Sequence, residues 1–248
     1  MLTIDIGNTY IKWAVWNDAC IVQTHSCEYS KQAPENAFVM WNDMQAEKRV
    51  MVSCVAGESV EQALSRWMQL HWSIVPEFLR STAKRGGVIN AYTDPGRYGV
   101  DRWAALLGAH SLYDDPVCII DAGTAITVDL LDAGGVHHGG RILPGLQMMR
   151  EALLKGAAGI HQADGEPVAF ANNSADAVSS GTLHMLQAAL IEICSSAGQR
   201  LGNNMKIIIT GGMSEQIMSL PGMPGMLHEP DLVMKGLHAA AEIPLAGN

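Results

Sequence analysis

Two stretches of this sequence repeat one costly arrangement. Leu2–Lys12 reads LTIDIGNTYIK and Cys118–Leu130 reads CIIDAGTAITVDL. Each sets an aspartate inside a run suited to a buried strand, then adds glycine and small polar residues at once. Aligning Asp5 with Asp121 also aligns Gly7 with Gly123. A carboxylate taken out of water is expensive unless it is paired, hydrogen-bonded or bound to a cation. The chain must therefore build the same strand–turn–strand unit twice and satisfy an aspartate in each.

The remaining pattern agrees with a duplication. Apolar runs flank Gly7-Asn8, which predicts a hairpin. The stretch from Cys20 to Lys48 is less regular. RVMVSCVAG reads as a buried strand. SVEQALSRWMQLHW reads as a helix with Val60, Leu64, Trp67 and Met68 on one face and Ser59 as its candidate cap. WSIVPEFL is a further strand, and the glycine-rich loop GGVINAYTDPGRYGVDRW feeds an apolar helix, DRWAALLGAHSLY. Asp114-Asp115-Pro116 breaks the chain. Three strands with tight glycine turns follow in VCIIDAGTAITVDLLDAGGVHHGGRILPG. Then come the helices LQMMREALLKGA and SADAVSSGTLHMLQAALIEICSSAG, the second with Ser174 as candidate N-cap. KIIITGG is a buried strand, SLPGMPGMLHEP a Pro/Gly loop, and DLVMKGLHAAAEI a last helix. Strand–turn–strand followed by alternating helices and strands occurs twice, which predicts an α/β fold of two lobes, 1–113 and 114–248.

Composition narrows the partners. Of 248 residues, 48% are hydrophobic and 17% charged, enough for a real core, and the formal net charge is −9. Nucleic acid is not an expected partner, because its phosphates call for a basic face. An anionic substrate would have to be met locally, by backbone N–H groups, a few lysines or arginines, or a metal ion. No run is long and apolar enough to span a bilayer, and nothing before LTIDIG resembles a signal peptide. No membrane partner is expected, and the expected location is the cytoplasm. Five cysteines lack metal-ligand spacing, which points to reduced thiols. His137-His138 lacks a third ligand at recognisable spacing and reads as a solvated or edge-strand pair. The fourteen methionines read as adaptable core filler.

Asp-x-Gly before a tight turn has a specific use. Glycine lets backbone approach a ligand closely, successive N–H groups form an anion-binding concavity, and the aspartate can hold a hydrated cation that balances phosphate charge. Asn8, Thr9 and Thr124 add donors and Lys12 adds charge. Each copy by itself also suits a plain hairpin turn; the recurrence favours phosphate. Other nucleotide signatures are missing: no Gly-Lys pair occurs, which excludes a P-loop, and no Gly-x-Gly occurs, which excludes the dinucleotide fingerprint and the kinase glycine loop.

DIGNTYIK, GVDR at Gly99–Arg102, DAGTA, GGRILPG at Gly139–Gly145, TGG at Thr210–Gly212 and PDLVMKGL follow one another in that order. Together they resemble the type III pantothenate kinases, members of the actin/sugar-kinase/Hsp70-like superfamily. That resemblance implies a duplicated actin-like (ribonuclease H-like) fold with ATP in the cleft between two lobes. It implies phosphorylation of pantothenate at its 4′-hydroxyl, the first committed step towards coenzyme A. ATP would come with Mg²⁺ or a similar divalent cation. Asp101 is then the base that accepts the hydroxyl proton, although its position also suits an N-cap. Arg102 would clamp the pantothenate carboxylate, with Tyr92, Gly99 and Ser174 on the substrate side. Asp5, Gly7, Asn8, Thr9, Lys12, Gly123 and Thr124 would serve ATP, Asp5 near the divalent cation and Asp121 on K⁺ or NH₄⁺. A homodimer is implied, with the pantothenate pocket at the subunit interface. Ser174 stands where the family usually has threonine, and Tyr98 where relatives often have an aliphatic residue. The alternatives are another small-molecule kinase of the superfamily, or a non-catalytic regulatory relative.

Overall fold

In the computed structural model, which describes residues 1–202 and 204–243, both aspartate-bearing stretches fold as antiparallel hairpins. The first runs from β1 (Leu2–Ile6) to β2 (Tyr10–Asn17), followed by β3 (Cys20–Glu28), a short α1 (Glu35–Phe38), β4 (Val50–Cys54), α2 (Glu58–Trp72) and β5 (Glu77–Phe78). These strands make one sheet in the order β3-β2-β1-β4-β5, with β1 antiparallel to β2 and parallel to β4. A small ribbon of β6 (Lys84–Arg85) and β7 (Val88–Ile89) leads through the glycine-rich loop to α3 (Val100–Leu112).

The second hairpin joins β8 (Val117–Ala122) to β9 (Ala125–Leu131), followed by β10 (His137–Pro144), α4 (Leu146–Gly156), α5 (Ser174–Leu201), β11 (Lys206–Thr210), α6 (Ser214–Met218), β12 (Leu227–His228) and α7 (Leu232–Glu242). Its sheet order, β10-β9-β8-β11-β12, repeats the first strand for strand, and β11 again lies parallel to the hairpin's first strand. The internal duplication is thus real at the level of topology.

Several local expectations change. β3 was hidden in the irregular region because seven of its nine residues are exposed, so an edge strand left no alternating pattern to read. The strand expected in WSIVPEFL shrinks to Glu77–Phe78, and the Pro/Gly loop contains β12. The cap of α2 is Gly57, at φ +108°, with Ser59 inside the helix. The cap of α5 is Asn173, whose side chain accepts from the Asp176 N–H at 3.0 Å, so Ser174 is the first helical residue and not the cap.

The largest change concerns the lobes. One compact unit holds Met1–Asp114, Ala133–His137 and the C-terminal segment from Asp231; the other holds Asp115–Asp132 and His138–Pro230. A division at 113/114 assigns the last helix and the β9–β10 turn to the wrong unit. The physical reason lies in α7, whose Leu232, Leu237 and Ala240 are fully buried. An apolar helix face must be covered, and α7 packs beside α3 over β1 and β4.

In the first unit, the other sheet face carries an aromatic core. Trp41 is buried with its ring 5.4–5.7 Å from those of Phe38, Trp13 and Trp67. In the second unit, Cys118, Ile120 and Val128 pack with Leu186, Leu190 and Cys194 of α5. All five cysteines are free thiols, Cys54 and Cys118 buried among apolar residues.

The α3–α7 contact is close enough to need glycine on both sides. A Cβ on Gly236 would overlap the Ala104 carbonyl oxygen, and one on Gly108 would sit 3.0 Å from the Gly236 nitrogen. Gly236→Ala is therefore expected to cost about 2–3 kcal/mol of stability, as for other overpacked sites. Urea unfolding measures it; an unchanged midpoint would mean that the two helices separate freely.

Candidate active site

Asp5 lies on β1 directly opposite Lys12 of β2 and Ser53 of β4, so the three side chains share one sheet face. Three residues, Gly7, Asn8 and Thr9, make the turn. The Gly7 N–H closes it on the Tyr10 carbonyl at 2.9 Å, and a Cβ there would come within 3.3 Å of the same oxygen. The segment after β3 folds back over this turn. The Tyr29 N–H donates to Thr9 O at 3.2 Å, the Tyr29 O–H to Gly7 O at 2.7 Å, and Lys31 Nζ to Asn8 Oδ1 at 2.6 Å. The turn thus gains a second lysine and a tyrosine anchor that no spacing in the sequence signalled. Burial, with the negative charge of Cys54 and Asp5 adding to it, pushes the Tyr29 phenol up to about 12.

The second hairpin is tighter, with only Gly123 and Thr124 between its strands. Asp121 lies opposite Thr127 of β9 and Thr210 of β11, positions equivalent to those that face Asp5. Two distant motifs close on this turn. The Gly145 N–H donates to Thr124 O at 3.2 Å, and a Cβ on Gly145 would overlap that oxygen. Gly211 has φ +91°, and a Cβ on it would stand 2.6 Å from Asp121 Oδ1. Gly145 of GGRILPG and Gly211 of TGG are therefore glycines because their backbones press against the DAGT turn, leaving the Asp121 carboxylate in a cradle that a side chain at Gly211 would fill. Ser174 occupies the exposed first position of α5.

Of the residues expected on the substrate side, Tyr92, Gly99 and Arg102 lie with Asp101 around the start of α3 in the first unit. Gly99 is the N-cap; Asp101 follows inside the first turn, where its Oδ1 accepts the Arg102 N–H at 2.8 Å. The carboxylate folds back so closely that a Cβ on Gly99 would lie 2.7 Å from it. Arg102 is only 6% exposed. Its guanidinium carbon lies 4.7 Å from the Tyr98 ring centre and 5.9 Å from that of Tyr92, and Nη1 donates to the Tyr92 hydroxyl at 3.2 Å. Aromatic faces suit a buried guanidinium because the ring quadrupole attracts the cation. Tyr98, the unusual residue before Gly99, is thus one wall of an arginine cage.

The His137-His138 pair lies on the edge strand β10, as one of its two expected placements had it, but His137 is not solvated. It is 2% exposed, with its ring 5.0 Å from Tyr98 and 6.4 Å from Tyr92, and its Nδ1 accepts the Ala91 N–H at 3.3 Å. His138 differs: its Nε2 lies 2.8 Å from Asp132 Oδ2 in the second unit. Among the described residues, no three His, Cys, Asp or Glu side chains gather as a metal cage.

The model of the type III pantothenate kinases matches residues 1–196. The chain belongs to the type III pantothenate kinase family. It is a kinase of a family that draws on ATP with a divalent cation. A type III pantothenate kinase from Nitrosococcus oceani is 34% identical over 251 residues, which cover 98% of this chain and 94% of that protein. Among solved structures, one from Campylobacter jejuni described as a Baf family transcriptional activator aligns with a TM-score of 0.61 at 18% identity, covering 98% of both chains. Another, from Sinorhizobium meliloti and described as a 2-dehydro-3-deoxygalactonokinase, gives 0.60 at 14% identity and 97% coverage of each. At such identities the two structures speak for the fold alone, a duplicated α/β fold of actin-like type.

Tyr29 offers a test of the first turn. Its phenol is raised from 10 to about 12, so the fold favours the neutral form. The linked stability is complete below pH 10 and is lost as pH rises through about 12. Tyr29→Phe should be less stable by about 1 kcal/mol at neutral pH, through the lost hydrogen bond to Gly7 O. The gap from wild type should close as pH approaches 12. Urea unfolding at increasing pH reads it, and a constant gap would detach Tyr29 from the alkaline transition.

Proposed function

We propose that this chain transfers the γ-phosphoryl group of ATP to the 4′-hydroxyl of pantothenate, giving 4′-phosphopantothenate for coenzyme A synthesis. The observation that carries the reading is the start of α3, where the Asp101 carboxylate adjoins a buried arginine caged by Tyr92 and Tyr98, in a member of this family. Phosphoryl transfer asks a protein mainly for positioning and charge neutralisation. Arg102 takes the pantothenate carboxylate in charge-assisted hydrogen bonds. Asp101 accepts the hydroxyl proton as the bond to phosphorus forms. Gly99 contributes by its missing side chain, which leaves the carboxylate its place.

The glycine turns serve the nucleotide. Asp5, Gly7, Asn8, Thr9 and Lys12 are assigned to ATP, as are Gly123 and Thr124. A divalent cation at Asp5 supplies charge neutralisation on the phosphates; Mg²⁺ commonly takes one carboxylate with phosphate oxygens and water, and so needs no cage of protein ligands. Asp121 is assigned to a monovalent cation, K⁺ or NH₄⁺. The cradle formed with Gly123 and Gly211 supports this, since a side chain at Gly211 would meet the carboxylate oxygen. We further assign a homodimer that completes the pantothenate pocket through Ser174, and a cytoplasmic location. Among the described residues, no helix is long and apolar enough to cross a membrane.

Pantothenate-dependent ADP release with Mg²⁺-ATP, in potassium and in sodium buffer, tests the reading. Wild type should turn over in potassium and lose most activity in sodium, while Asp101→Asn should fall by about 10²-fold or more. Activity that survives in the variant would demote Asp101 to positioning. Absence of pantothenate-dependent ADP in both buffers would overturn the proposal and favour a regulatory relative.

A further inference from the structure

We propose that His137 is a positioning residue for the carboxylate clamp: by accepting the Ala91 N–H it fixes the loop whose tyrosines aim Arg102. This rests on the reading of Arg102 as the pantothenate anchor. Arg102 is directed by two loop residues, through the Tyr92 hydroxyl at 3.2 Å and the Tyr98 ring at 4.7 Å. Both belong to the segment that begins at Asn90, and three successive amides hold its start. The Asn90 N–H donates to Ala83 O at 2.9 Å, the Ala91 N–H to His137 Nδ1 at 3.3 Å, and the Tyr92 N–H to Asn90 Oδ1 at 3.0 Å. The first and third are local contacts. The middle one is made by a side chain 46 residues away, on the first residue of β10, which belongs to the first unit.

The same imidazole reaches the far end of the loop. Its ring packs on Tyr98 at 5.0 Å and lies nearly parallel to Tyr92, at 6.4 Å and 14°. One buried side chain thus grips the loop at residue 91 and touches both tyrosine walls. Accepting at Nδ1 places the ring proton of the neutral imidazole on Nε2. Removal of that acceptor leaves the Ala91 amide without its partner and frees the tyrosines to shift. A small displacement suffices, because a misplaced positioning group costs far more in binding geometry than in fold stability.

Two substitutions separate the acceptor from the ring. His137→Phe keeps an aromatic body against Tyr98 but has no acceptor. His137→Asn sets an amide oxygen near the place of Nδ1 and gives up the ring. Steady-state kinetics of the full chain, varying pantothenate and ATP separately, would be read with thermal melting. His137→Phe should raise KM for pantothenate about tenfold and leave KM for ATP within about twofold. His137→Asn should stay within about threefold of wild type for pantothenate. An unchanged pantothenate KM in His137→Phe overturns the inference, as does a joint rise of both KM values with a fall in Tm. If His137→Phe does not fold, His137→Asn decides: a pantothenate KM near wild type upholds the acceptor role and about a tenfold rise refutes it. An inactive wild type would bring down the pantothenate reading and this inference with it, whereas an active wild type with an indifferent His137→Phe removes this inference alone.

Discussion

The close approach of α3 and α7 is the contact on which the first unit depends. Nine of the thirteen residues of α3 are buried, so this helix needs covering on nearly every side. The sheet covers one side through β4, and α7 covers another because Gly108 and Gly236 let the backbones meet. Met234 of α7 also receives the Thr3 hydroxyl of β1 at 3.3 Å, and Thr3 in turn accepts Trp16 Nε1–H at 2.9 Å. The chain's last helix is thereby locked to its first strand. Since α3 carries Asp101 and Arg102 at its start, a side chain at either glycine would shift the helix that positions them.

The two sheets share strand order and register, yet their hairpins differ where charge matters. Opposite Asp5 stand Lys12 and Ser53; opposite Asp121 stand Thr127 and Thr210. The first turn has three residues and is braced by Tyr29 and Lys31. The second has two and is braced by backbone from Gly145 and Gly211. The first copy thus brings cationic side chains, while the second brings bare backbone and a carboxylate. One scaffold thus carries two turns with different chemistry.

Much of the candidate site is legible in the chain because its motifs are local. Asp-x-Gly turns, GxDR before an apolar helix, and paired glycines after a buried strand each draw their meaning from residues a few positions apart. The residues that escaped reading work over long separations. Tyr29 reaches Gly7 from 22 residues away, and His137 reaches Ala91 from 46. A histidine beside paired glycines looks the same in sequence whether it faces water or an arginine cage. Tyr98 registered only as a departure from the family, although its ring centre lies 4.7 Å from the guanidinium carbon of Arg102.

By itself the sequence determined the two hairpins, a buried strand later in each half, the helices that cover the sheets, and the identity of the charged groups. Hydrophobic period, glycine and turn chemistry are short-range properties, and they suffice for these. The tertiary structure alone decided which unit owns α7 and the β9–β10 turn, which glycines are pressed by distant backbone, and how deeply Arg102 and His137 are buried. Burial and close approach depend on what the rest of the chain brings to a point in space, and no local window of sequence contains that.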